Sequence, residues 1–215
     1  METQARYPLQ LSVAYPDRDL NRLTTAFRIF VAIPIMIVAT SLGGFSGWGG
    51  EGGWGGEGSY TIAAGAGGLL FLPPLLMILF RQKYPRWWYD WNLQLMRFSN
   101  RISVYLALMD DEYPSTDEEQ SVRLDFPYPD ARNGLNRWLP LVKWLLAIPH
   151  YVVLVFLSIA AFVCVIVAWF AILFTGRYPR GIFDFVEGVI RWWNRVAAYA
   201  FVLVTDRYPP FSLSA

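Results

Sequence analysis

The chain has few of the residues on which most catalytic and metal sites depend. Its 215 residues contain one cysteine, Cys164, and one histidine, His150. One cysteine excludes an intrachain disulfide, and together the two residues provide too few ligands for a zinc site. A lone histidine is also a poor basis for a catalytic triad. We therefore expect no enzymatic activity, no metal and no cofactor. Cys164 is interpreted as a small buried residue, and His150 as a hydrogen-bonding residue at a membrane edge.

Charged residues are also scarce. They make up 16% of the chain, against about 25% in typical soluble domains, whereas apolar residues make up 55%. The net charge of +1 argues against a nucleic-acid partner, which would require a basic stripe. This composition indicates a membrane protein, with lipids among its partners.

The apolar residues are concentrated in long runs. The longest is Trp138–Phe174, in which Lys143 is the only charged residue apart from a titratable His150. It is much longer than the ~20 residues with which a helix spans a bilayer. It is therefore either a helical hairpin that crosses twice, or one span over Pro149–Phe174 that follows an interfacial helix. In the first half, Thr24–Leu42 and Tyr60–Phe80 are two shorter apolar segments.

Residues 43–59 between those two segments form a glycine-rich stretch. It contains two consecutive copies of Gly-Trp-Gly-Gly-Glu-Gly. Glycine runs do not hold a packed element, so we interpret this stretch as a flexible loop on the outside of the membrane.

Two short segments alternate apolar and polar residues, Tyr7–Tyr15 and Ser121–Tyr128. A period of two predicts strands, which could pair in a small sheet at the cytoplasmic face. Residues 87–108 and 181–204 instead mix tryptophans with arginines. This pattern is typical of an amphipathic helix in the membrane interface, although the same helix could pack on a membrane bundle.

These features recur in the same order in both halves. Arg28 matches Lys143, and Asp111 matches Asp206; the motifs before and after them also match. We therefore predict an all-α membrane protein built from two tandem repeats, 1–114 and 121–215, joined by the acidic linker 115–120. Each repeat has a short strand, a transmembrane hairpin and an amphipathic helix. The predicted hairpins cover about residues 24–80 and residues 138–174, since the duplication aligns the long run with two segments.

The candidate site consists of polar residues on the two amphipathic helices, several of them at matching positions. Three interpretations are open: a site for lipid phosphates, a buried network between the repeats, or the ordinary polar face of an interfacial helix. The residues are Arg97, Asn100, Arg101, Asp184, Glu187, Arg191, Asn194 and Arg195.

Three segments of the second half carry a family resemblance: Arg137–His150, Leu173–Phe185 and Arg191–Tyr199. They resemble the bacterial membrane family catalogued as domain of unknown function 4389. The resemblance is close over Ser121–Leu213 and looser over Tyr7–Pro114. It implies a membrane topology and no assigned activity.

The distribution of basic residues predicts the orientation. All Lys and Arg lie outside Val31–Leu79 and outside Trp144–Phe174. By the positive-inside rule, the chain is expected to be a multi-pass protein of the bacterial cytoplasmic (inner) membrane with both termini cytoplasmic.

We expect a non-catalytic scaffold or accessory subunit that assembles with other membrane proteins or with itself as a homo-oligomer. Two alternatives stay open: a module that binds anionic lipids or organises the membrane, and an oligomeric transporter or channel-like protein.

Overall fold

The structure is a computed structural model that describes residues 7–43, 72–116, 118, 120–132 and 134–214. In these residues the chain is mostly helical and carries a two-stranded sheet. The predicted glycine-rich loop beyond Gly43, and most of the predicted segment Tyr60–Phe80, lie outside the described residues.

The sheet joins the beginning of the chain to its middle. Strand β1 (Gln10–Val13) pairs antiparallel with β2 (Val122–Asp125), with Leu11 opposite Leu124. Alternation buries Leu11 and Val13 on one face and leaves Gln10 and Ser12 exposed on the other. The prediction of two short strands that pair is confirmed.

The second layer consists of two amphipathic helices close to where the sequence predicts them. Helix α3 spans Arg86–Leu106, and α6 spans Arg180–Ala197 and continues as a π-helical turn, Ala198–Val202. Each follows a proline, which fixes φ for helix entry. Helix α3 packs on β2, and α6 packs on β1, so their apolar faces and the sheet form the main core.

The outer layer consists of the most apolar helices. Helix α1 (Arg22–Gly43) packs on α3, whereas α5 (Ile148–Thr175) packs on α6, and the two outer helices touch each other. By length and composition both could cross a membrane. Two short helices complete the described elements: α2 (Leu72–Leu76), which runs into a π-helical turn at Met77–Arg81, and α4 (Pro140–Leu146).

The run Trp138–Phe174 does not form the predicted two-span hairpin. It forms α4, which at 7 residues is ~10 Å long, and then the 28-residue helix α5. No glycine or proline occurs between Tyr151 and Thr175, so nothing in the sequence turns the chain back. Pro149 lies in the first turn of α5, where its missing N–H costs nothing. The structure instead agrees with the alternative prediction, in which one long apolar helix over Pro149–Phe174 follows a short helix.

Candidate functional site

Most of the predicted polar residues meet where α3 and α6 lie side by side. At the centre, the side-chain amides of Asn100 and Asn194 exchange two hydrogen bonds. Each Nδ2 donates to the other Oδ1, over 2.7 and 2.6 Å. Both residues are buried. Each Nδ2 also donates to the carbonyl one turn earlier in its own helix, of Met96 or Ile190. The pair joins the two halves of the chain.

On either side of this pair, an arginine from each helix binds a strand. Arg97 Nε donates to the Leu124 carbonyl of β2 over 2.9 Å. Arg191 Nε donates to the Leu11 carbonyl of β1 over 3.0 Å. Leu11 and Leu124 are partners in the sheet, so the two arginines hold the same rung from opposite helices.

The two predicted carboxylates of α6 behave differently. Glu187 pairs with Arg191 one turn away, and its Oε1 also accepts a hydrogen bond from the Val13 N–H over 3.3 Å. Glu187 therefore attaches the end of β1 to α6. Asp184 is exposed and lies outside this network.

The remaining two arginines bind the extended segments that follow their helices. Arg101 Nη1 donates to the Ser115 carbonyl over 2.8 Å. Arg195 Nη1 and Nη2 donate to the Ser212 and Ser214 carbonyls over 3.3 and 2.8 Å. Burial lowers the pKa of Arg195, and the neighbouring Arg191 lowers it further. Like Arg97 and Arg191, these side chains bind backbone carbonyls.

All four arginines also line an open cavity of about 780 Å³ at the sheet. Its walls include the exposed strand residues Gln10, Ser12, Arg123 and Asp125. The lining holds five arginines and the Asp125 carboxylate, which lies 3.8 Å from Arg97 Nη2. The excess of positive charge is an environment that attracts anions. The outer helices α1 and α5 pack on α3 and α6, the two helices that contact the sheet.

Two buried ion pairs were missed by the sequence analysis. Arg28 of α1 pairs with Asp111, and Lys143 of α4 pairs with Asp206 over 2.6 Å. Lys143 is fully buried, and its Nζ also donates to the Thr205 carbonyl over 2.7 Å. Burial lowers the pKa of Lys143, and Asp206 opposes this effect.

A signal for both pairs was present in the sequence. The base Arg28 matches Lys143, and the acid Asp111 matches Asp206, so a base and an acid recur together in the two halves. Both bases also approach a tyrosine ring at matching positions. Arg28 Cζ lies 4.5 Å from the Tyr105 centroid, and Lys143 Nζ lies 5.2 Å from that of Tyr199.

The single histidine is more deeply buried than its predicted place at a membrane edge implies. His150 has no exposed surface, and its Nδ1 accepts a hydrogen bond from Trp192 Nε1 over 3.1 Å. Its ring stacks on Phe211, with centroids 4.0 Å apart. The rings of Trp192 and Tyr208 also lie against His150, with centroids 5.9 and 4.7 Å away. Among the described residues, no three potential metal ligands lie together.

Comparison with curated proteins and with solved structures finds no match for this chain. A family model does match part of the second half, from the start of the long apolar run to the segment that contains Phe211. Residues 138–212 match the family described as Domain of unknown function (DUF4389), and this match supports the assignment of that segment to the family.

Proposed function

We propose that this chain is a membrane-embedded, non-catalytic scaffold or accessory subunit that holds other membrane proteins or further copies of itself. The observation that carries the proposal is the exposed apolar surface of α1, α4 and α5. Large side chains such as Phe30, Phe156 and Phe162 are 67 to 69% exposed along it. Monomeric soluble proteins rarely expose apolar patches beyond a few hundred Å².

The use of the polar side chains supports a scaffold over an enzyme. Arg97, Arg191 and Arg195 donate to backbone carbonyls, and the Asn100–Asn194 pair satisfies itself. Groups that connect elements of the fold have few donors left to bind and turn over a substrate.

The proposed location is the bacterial cytoplasmic membrane, with both ends of the described chain on the cytoplasmic side. Tyr7 Oη donates to the Arg207 carbonyl over 3.1 Å, so the first and last described segments lie together. Burial raises the pKa of the Tyr7 phenol above its usual 10.0. The basic flanks of the apolar helices fit the cytoplasmic side.

We also propose that the two halves arose by duplication. The two ion pairs at matching positions, and the two arginines that bind one rung of the sheet, support this idea. If the sites are equivalent, Lys143→Arg, which installs the residue found at position 28, should destabilise the fold less than Lys143→Met. Lys143→Met should cost about 3 kcal/mol or more, because it leaves the Asp206 carboxylate without its cationic partner.

Membrane embedding is tested by flotation with phospholipid vesicles. The double variant Phe156→Lys with Phe170→Lys places two charges on the apolar surface and should lose flotation. The matched control, Gln10→Lys with Ser12→Lys, adds the same charge to the exposed face of the sheet and should float like the parent on neutral phosphatidylcholine vesicles, which carry no anionic headgroup for the cavity. Equal flotation of both variants would contradict the proposed membrane surface.

The scaffold role is tested by extraction in polymer-bounded native membrane discs, followed by native mass spectrometry. A defined ratio of this chain to a second membrane protein, or a homo-oligomer, is the expected result. A bare monomer in every preparation would argue against it.

The arginine-lined cavity supports the second candidate, binding of an anionic headgroup. Arg97 is the most accessible of the four arginines, with 32% of its side chain exposed. Arg97→Gln should weaken binding to vesicles with anionic lipid but not to neutral vesicles, if the cavity holds a headgroup. Identical binding to both vesicle types would eliminate this candidate.

A further inference from the structure

The long helix α5 packs against α6 along most of its length. Near the start of α5, Tyr151 stacks with Trp193 and Phe201, with centroids 6.5 and 6.3 Å apart. Two turns later, Ser158 Oγ accepts a hydrogen bond of 2.9 Å from Trp193 Nε1. Helix α6 begins five residues after α5 ends at Thr175, so the two helices run antiparallel.

This packing fixes the depth of α6 for any orientation of α5. If α5 stood upright in a bilayer, its middle, near Phe162, would lie at the centre of the ~30 Å hydrocarbon core. Trp193 lies beside Ser158, about 6 Å from that middle at 1.5 Å per residue. Following α6 back from Trp193, Glu187 and Asp184 would then lie within ~8 Å of the bilayer midplane. Asp184 is exposed, so its carboxylate would face lipid directly.

The sheet would follow α6 into the membrane. Arg191 and Glu187 bind the backbone of β1 at Leu11 and Val13. Strand β1 pairs Gln10 with Asp125, whose side chain is 78% exposed. An upright α5 would therefore carry the charged outer face of the sheet toward hydrocarbon, where exposed strand edges have no hydrogen-bond partners.

Helix α1 has the same relation to α3. Ala32 and Ile35 are buried against Phe98 and Ile102 of α3, and Ala39 packs on the same cluster. Helix α3 contains Arg97, Asn100 and Arg101, and it packs on strand β2 of the sheet. Both apolar helices thus pack on a polar helix that also binds the sheet.

We infer that α1 and α5 lie in the plane of the bilayer, within one leaflet, and that neither crosses it. In this arrangement α3 and α6 lie at the headgroups, and the sheet with its arginine-lined cavity lies in water. A helix about 10 Å wide fits within half of a ~30 Å hydrocarbon core. The exposed tryptophans of the middle layer, Trp87, Trp91 and Trp193, then lie at the depth that indoles prefer. The inference rests on the proposed membrane embedding and replaces the multi-pass topology expected from the sequence.

The test measures the depth of four positions on one face of α5. Val152, Ile159, Val163 and Phe170 are all exposed, and at 100° per residue they point within about 40° of one another. Each is replaced by cysteine in a Cys164→Ala background and labelled with a bimane fluorophore. The full chain is reconstituted in vesicles that contain lipids with nitroxides at a shallow or a deep acyl position. The ratio of the two quenching efficiencies gives each depth.

In-plane embedding predicts equal depths, within a few Å, at all four positions. An upright α5 predicts that Ile159 and Val163 lie ~10 Å deeper than Val152 and Phe170, because these ends are ~27 Å apart along the axis. That profile would overturn the inference while leaving membrane embedding intact. A Ser12→Cys label on the sheet should be quenched by aqueous iodide and not by either nitroxide. Absence of nitroxide quenching at every α5 position would reject membrane embedding itself.

Discussion

Removing the negative charge of Asp206 should destabilise the fold strongly. Lys143 Nζ is fully buried and lies 2.6 Å from the Asp206 carboxylate. In Asp206→Asn, the ammonium keeps the Thr205 carbonyl and the Tyr199 ring, but a neutral amide replaces the carboxylate and its negative charge is lost. Breaking a buried pair by removing one charge typically costs about 3 to 5 kcal/mol. For a chain of this size, that corresponds to a fall in Tm of roughly 6 to 20 °C.

The assay is unfolding in detergent micelles, followed by tryptophan fluorescence in a denaturant series at neutral pH. The matched control is Asp19→Asn, which breaks the Asp19–Arg177 pair, in which the side chains are 69 and 79% exposed. An exposed pair contributes up to about 1 kcal/mol. Adding Lys143→Met to Asp206→Asn should recover part of the loss, because no buried charge then lacks its partner.

The defect should also depend on pH. Burial lowers the pKa of Lys143 below its usual 10.5, and loss of Asp206 removes the main opposing effect. The folded variant then loses the Lys143 proton at a lower pH than the unfolded chain, so its stability rises as pH increases toward 10.5. The reasoning would be refuted if Asp206→Asn were no less stable than Asp19→Asn, or if its deficit were the same at every pH.

Three further predictions concern backbone strain, the central amide pair and a buried phenol. Gln82 adopts a left-handed backbone (φ 46°) where the matching Gly176 has φ 77°. Gln82→Gly should therefore raise the free energy of unfolding, and Gly176→Ala should lower it by about 1 kcal/mol, as measured by denaturant titration. Asn194→Ala should cost about 2 kcal/mol because it leaves the Asn100 amide buried without its partner, whereas the Asn100→Ala/Asn194→Ala double variant should cost less than the sum of the single changes. Burial raises the pKa of Tyr7 above its usual 10.0. The neutral Tyr7 phenol therefore contributes fully to the free energy of unfolding below pH 10. This contribution is lost as pH rises further, by up to 1.4 kcal/mol per pH unit. Tyr7→Phe should make that alkaline fall in stability shallower; an unchanged slope would contradict the burial of the phenol in the folded chain.

The elements that were predicted correctly are those with a local periodicity. Alternation identified β1 and β2, and the mixture of tryptophans and arginines identified α3 and α6. The prediction of a hairpin over Trp138–Phe174 was wrong because no local pattern supported it. It rested on alignment with the first half, whereas residues 151–175 contain no turn-forming residue.

Recurrence in the sequence selected the residues of the candidate site, but it did not identify most of their partners. Asn100 and Asn194 were selected because they recur, and they do meet. The acceptors of Arg191 and Arg195 are backbone carbonyls, which leave no mark on the sequence. The Lys143–Asp206 pair joins positions 63 residues apart, a separation over which no local pattern operates. Long-range pairing of this kind is set by the packed layers.

Strand β1 is synthesised long before the helix that binds it. Leu11 binds Arg191, 180 residues later in the chain. At translation rates of about 5 to 20 residues per second, β1 is made roughly 10 to 40 s before α6 emerges. During this interval α1, which also precedes its support α3, has already left the ribosome with an apolar face uncovered. We therefore expect the apolar face of α1 to need cover, from a membrane or a chaperone, well before the sheet can form.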